Sequence, residues 1–130
     1  MNSRPQAWFA QAKDDLAAAM VIRDNNFNSQ ACYFASQAAE KALKGLILEL
    51  GVEPAYTHVL GELIKQLKQL GCEVEELEKL SLRSLSRIAA VCRYPIESTP
   101  PADLFELADA NQAITTAAAV LGFVEALDKP

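Results

Sequence analysis

Apolar residues recur every three or four positions through almost the whole chain, and each such stretch ends at residues that stop helices. That spacing places them along one face of an α-helix. The breaks fall at Asp24-Asn25-Asn26, Gly51 with Pro54, Gly71, Pro95 and Pro100-Pro101. Five helices are therefore expected. Composition agrees: Ala and Leu supply 39 of the 130 residues, against 17 for Val, Ile and Thr together. The first pair favours helix, the second group strand.

Helix one is predicted from Ser3 to Asp24, with Ser3 and Gln6 at capping-box spacing, Pro5 in the first turn, and a ridge of Trp8 or Phe9, Ala12, Leu16, Ala19 and Met20. Helix two is predicted from Asn28 to Leu50. Ala31, Phe34, Ala35, Ala38, Ala42, Leu43 and Leu46 share one side, and Gln37, Glu40, Lys41 and Lys44 lie opposite, where a solvated face is expected. Helix three, the shortest, should run from His58 to Leu70 and stop at Gly71. Helix four should run from Glu73 to Arg93, since Pro95 disfavours helical geometry at Tyr94. Its apolar residues, from Leu77 to Cys92, spread over a wide arc, so two buried faces are expected. Thr99 and Pro100 should open the last helix, whose ridge includes Leu107, Ala110, Ile114, Ala117, Leu121 and Val124. The expected fold is all-α: a single domain over residues 1–130, an up-and-down four-helix bundle with an additional short helix.

Twelve Lys and Arg against 17 Asp and Glu leave a net charge of -5, which argues against bulk electrostatic binding of duplex nucleic acid. Lys79, Arg83, Arg87 and Arg93 nevertheless form a local basic stripe toward the end of helix four. Cys32, Cys72 and Cys92 are far apart, and His58 is the only imidazole, so neither a metal site nor a disulfide framework is expected. No cofactor is expected. The opening residues have no secretory pattern and no uninterrupted apolar run approaches a membrane span, which gives a cytoplasmic expectation and no membrane partner.

Three segments carry a resemblance: Gln37-Ala38-Ala39-Glu40-Lys41-Ala42-Leu43-Lys44, Thr57-His58-Val59-Leu60 and Arg93-Tyr94-Pro95, preceded by Asp14-Asp15-Leu16. In order and spacing they resemble the HEPN family, the higher-eukaryote-and-prokaryote nucleotide-binding domains. The resemblance implies a helical bundle that usually dimerises and is often encoded beside a minimal nucleotidyltransferase in toxin–antitoxin pairs. It also implies, in catalytic members, metal-independent RNA cleavage by an Arg-x(4–6)-His motif. After Arg93 the three permitted positions hold Ser98, Thr99 and Pro100, and no His follows. Such cleavage needs a proton-transfer group working near neutral pH and a cation on the phosphorane, and a hydroxyl cannot replace the imidazole.

Arg93 is thus the remnant of that motif. It reads either as a contact for phosphate or a partner carboxylate, or as a residue complementing the end of its helix. Glu40 and Lys44 form an i, i+4 pair with a structural or a site role; His58 reads as a linker-fixing residue or a ligand contact. Arg83 and Arg87 read as a solvated face or an intersubunit rim, with Arg87 also a candidate polyanion contact. Tyr94 reads as a packing anchor, or, because some partner nucleotidyltransferases modify a Tyr near the nuclease motif, as a modification site. The expected function is a degenerate HEPN partner of a minimal nucleotidyltransferase, dimeric through helix four. The alternatives are a ribonuclease toxin centred on Arg93 and a nucleotide- or polyanion-binding module.

Overall fold

The computed structural model describes residues 1–128 and contains six α-helices: α1 (Ser3–Asp24), α2 (Asn28–Glu49), α3 (Leu60–Gln69), α4 (Glu75–Glu78), α5 (Leu82–Val91) and α6 (Leu107–Asp128). A turn of 3-10 helix, Pro101–Asp103, precedes α6, and among the described residues the only extended pairing is an isolated bridge between Ile96 and Thr99. The expected all-α bundle is the observed fold. α1 and α2 form a helical hairpin whose turn has Asn26 at φ 68°, the left-handed geometry that Asn tolerates. α6 packs on both of them, while α3 and α5 cover the other side of α2.

α2 is consequently the central helix. Its Ala31, Ala35, Ala38, Ala39 and Ala42 are fully buried, and such small residues let the surrounding helices approach closely. At Gly45 the approach is closest, since a methyl there would sit 3.2 Å from both the Pro5 carbonyl oxygen and Trp8 Cβ. α6 satisfies the length and composition of a membrane-crossing helix, contrary to the expectation that none would. Its ridge of Ala113, Ile114, Ala117, Val120, Leu121 and Val124 lies in the bundle core.

The predicted fourth helix is two helices. Leu77 and Leu82 are 0% and 5% exposed, yet five residues in one straight helix would point them about 140° apart. Breaking the helix over Lys79–Ser81 turns both inward, with the Leu82 N–H donating to the Leu80 carbonyl at 2.8 Å. The wide apolar arc therefore belongs to two helices of different phase, and the basic stripe is shortened: Lys79 bonds Glu76 on the α4 side, and Arg93 lies beyond the end of α5.

Other boundaries shift for local reasons. α3 begins at Leu60 rather than His58, because the Leu60 N–H donates to Ser86 Oγ on α5 at 3.0 Å. α6 begins at Leu107 rather than Pro100. Thr99 instead exchanges backbone hydrogen bonds with Ile96, and Asp109 accepts from the Glu106 N–H at 2.8 Å, one half of a capping box. Ser3 opens α1 without making a side-chain cap. Gly51 and Gly71, at φ 91° and 88°, end α2 and α3 in the left-handed geometry expected of them.

Candidate functional site

Tyr33, Gln37, Glu40 and Lys44 follow one another on α2 at intervals of four, three and four residues, so they form one stripe along that helix. The candidate residues gather at its two ends. The upper end is aromatic and cationic. The Arg93 guanidinium lies 4.8 Å from the Tyr33 ring centre and 5.5 Å from that of Tyr94, and Phe34 meets Tyr33 edge-on at 6.0 Å. A cleft of about 300 Å³ opens here, lined by Tyr33, Phe34, Cys92, Arg93 and the Pro100-Pro101 step. Tyr94 is 66% exposed, so it is a surface ring rather than a packing anchor.

The lower end is ionic. Glu40 accepts from Lys44 Nζ at 3.1 Å through Oε2 and pairs with His58 Nδ1 at 2.9 Å through Oε1. Both Glu40 and Lys44 are buried, which corrects the expectation of a solvated face: α1, α3, α5 and α6 all pack on α2, so little of its circumference is left to water. A buried carboxylate needs partners on both oxygens, and here each has one. His58 presents the opposite balance, with four-fifths of its side chain exposed. With Nδ1 committed to Glu40, Nε2 is the ring nitrogen left to solvent.

The loop carrying His58 is fixed from three sides. Gln66 of α3 accepts from the Ala55 N–H at 2.7 Å and donates to the Glu53 carbonyl at 2.8 Å, Arg4 of α1 makes two bonds to the Glu53 carboxylate, and Thr57 Oγ1 accepts from the Val59 N–H. Arg83 and Arg87 are exposed on α5 and join neither cluster. The structure thus joins Glu40, Lys44 and His58, joins Arg93 and Tyr94, and leaves Arg87 apart.

Two contacts escape the sequence reading, one at the candidate site and one in its scaffold. Tyr33 reads as an ordinary member of the aromatic and alanine-rich second helix, and nothing marks it as the platform under Arg93. Asp15 belongs to the Asp14-Asp15-Leu16 segment, but its work is structural: it is 5% exposed, bonds Lys41 Nζ at 2.6 Å, accepts from Gln11 at 2.9 Å, and ties α1 to α2. Its position one turn from an apolar ridge residue was the available signal.

In fold the chain is similar to the crystal structure of TT1696 from Thermus thermophilus, with 32% identity and a TM-score of 0.87 over 97% of this chain and 98% of that one. It is also similar to ST0689, an archaeal HEPN homologue, with 23% identity, a TM-score of 0.75 and coverage of 98% and 99%. A HEPN domain protein from Thermotoga maritima, tm0613, gives 24%, 0.71, and coverage of 93% and 96%. Among curated proteins none matches the chain. The HEPN domain model matches residues 5–127, nearly the full length, and on that match the chain belongs to the HEPN family.

Proposed function

We propose that this protein is a non-nuclease HEPN partner, acting in the cytoplasm as a homodimer beside a separately encoded minimal nucleotidyltransferase. The observation that supports this reading is the separation of Arg93 from His58, the only imidazole in the chain. Arg93 is held at Tyr33 and His58 at Glu40, seven residues and about 10 Å apart along α2. A general acid or base and a phosphorane-stabilising cation must converge on one phosphate, and these two are anchored apart within a chain. The exposed Val91, Tyr94 and Ile96 beside Arg93 supply apolar surface at the end of α5 for a second copy.

Incubating the purified protein with structured RNA in the absence of metal tests the reading. No Arg93-dependent cleavage is expected, whereas cleavage abolished by Arg93→Ala would establish the ribonuclease toxin instead. Co-expression with a nucleotidyltransferase encoded in the neighbouring reading frame should yield a co-purifying complex, and light scattering should give a dimer mass.

The cleft at Arg93 favours a second reading, a nucleotide- or polyanion-binding module. Tyr33 and Phe34 offer ring surface to a base while the guanidinium offers a fork to phosphate. Calorimetry with ATP, GTP and short RNA separates the two, because this reading requires saturable binding that Arg93→Ala removes.

A further inference from the structure

The hydrogen bonds that fix the loop between α2 and α3 bury neither of its ring side chains. Tyr56 is fully exposed and His58 four-fifths exposed, although Arg4, Gln66 and Thr57 hold the segment at Glu53, Ala55 and Val59. Ordering such a segment costs conformational entropy that burial of these rings does not offset. What the order secures is the aim of one imidazole.

That aim is set from inside the bundle. Glu40 holds His58 Nδ1 through Oε1 at 2.9 Å and accepts from Lys44 Nζ through Oε2 at 3.1 Å, so cation, carboxylate and imidazole run in line from buried α2 to the surface. The neutral ring matched to that carboxylate carries its proton on Nδ1 and leaves the Nε2 lone pair to solvent. A nucleophile, a carboxylate that holds its proton and a third group that orients the carboxylate are the parts of an activated nucleophile. Satisfying Glu40 alone would need less. Lys44 already opposes its charge, and a hydroxyl or an amide would fill its free oxygen; an imidazole adds a nucleophilic atom on the far side.

We propose that His58 Nε2 accepts a phosphoryl group from an acyl phosphate, the mixed anhydride of a carboxylic and a phosphoric acid. The proposal is independent of the nucleotidyltransferase reading and uses no group at Arg93. In the transfer the Nε2 lone pair forms a bond to phosphorus while the bond from phosphorus to the bridging anhydride oxygen breaks, and that electron pair departs on the carboxylate. The Nδ1 proton stays in its hydrogen bond, so the positive charge gained by the ring is opposed by Glu40. The site selects the donor class. Among the described residues the ring's one hydrogen-bond partner is Glu40, on the nitrogen remote from the attack, so no acid is positioned for an alkoxide leaving group such as that of an RNA phosphodiester. A carboxylate leaves without a proton. An acyl phosphate also brings less negative charge than a nucleoside triphosphate to a loop whose neighbouring cations, Arg4 and Lys44, are already paired.

Acetyl phosphate is the probe. The full-length protein incubated with it near neutral pH should gain one phosphoryl group by intact mass, and phosphorus NMR should place it on Nε2; a single His in the chain makes the assignment unambiguous. The folded protein should react about tenfold or more faster than N-acetylhistidine, and His58→Gln should abolish the signal. Glu40→Gln alone leaves Lys44 buried and unpaired, so the informative variant is the double change Glu40→Gln and Lys44→Met, which removes both charges and keeps an acceptor oxygen at Nδ1. With an unchanged circular dichroism spectrum it should lose the rate advantage. A rate that saturates with acetyl phosphate supports a free donor, and one that stays linear supports an acyl phosphate carried by another protein. The proposal is overturned by a rate no greater than that of N-acetylhistidine, by phosphate on Nδ1, by acetylation of His58 in place of phosphorylation, or by a double variant as fast as the unaltered protein.

Discussion

Arg93 lies over the face of Tyr33, 4.8 Å from its ring centre, and so ties the segment following α5 to the central helix. The contact holds the guanidinium at the mouth of the cleft. Being solvent-accessible, it is worth about 0.5–1 kcal/mol, so Tyr33→Leu should lower the unfolding free energy by that order and Tyr33→Phe should leave it nearly unchanged. Urea titrations of the two variants make the comparison; equal losses would show that the ring face is not what Arg93 uses.

The ion pair between Asp15 and Lys41 should matter more, because the Asp15 carboxylate is buried and bonded at 2.6 Å. Lys41→Met removes the cation and leaves that charge with only the Gln11 amide, a loss expected at about 3 kcal/mol. Adding Asp15→Leu should recover most of it, since two apolar side chains of similar size can replace a buried pair at little cost. Urea midpoints for the single and double variants measure the coupling. A double variant as unstable as Lys41→Met alone would mean that α1 needs the pair for its register.

Residues with a backbone reason for their identity made part of this fold readable. Asn26, Gly51 and Gly71 all have positive φ, and each marks a helix end where the sequence predicts one. Burial was less readable. A helical wheel orders residues around α2 but contains nothing about how many neighbours surround it, so Glu40 and Lys44 read as solvated although both are buried in a helix that four others pack against. The break between α4 and α5 has no glycine or proline to announce it. Its signal was the phase conflict between Leu77 and Leu82, which a single long helix hides as a broad apolar arc. The site divides in the same way: Glu40, Lys44 and His58 are residues of recognisable motifs, whereas Tyr33 acquires its role only through the path that brings Arg93 back across α2.

The cysteines give a pH-dependent prediction. Burial pushes the Cys32 thiol up to about 12 and the Cys92 thiol up to about 11, and it raises the half-buried Cys72 as well. An unfolded chain would ionise these thiols from about pH 8.5. Below that pH both states keep their protons and the fold loses nothing. Above it the unfolded state releases protons that the folded state retains, so stability falls as pH rises toward the folded values of about 11 and 12. Urea midpoints should therefore decline from about pH 8.5 to about pH 10.5, and the double change Cys32→Ala and Cys92→Ala should flatten the slope while lowering the midpoint throughout. In the folded protein at about pH 8, iodoacetamide should modify Cys72 well before the other two, because Cys32 and Cys92 are 0% and 3% exposed. Alkylation of Cys32 as fast as Cys72 would show that α2 opens locally at its start, beneath the Arg93 cleft.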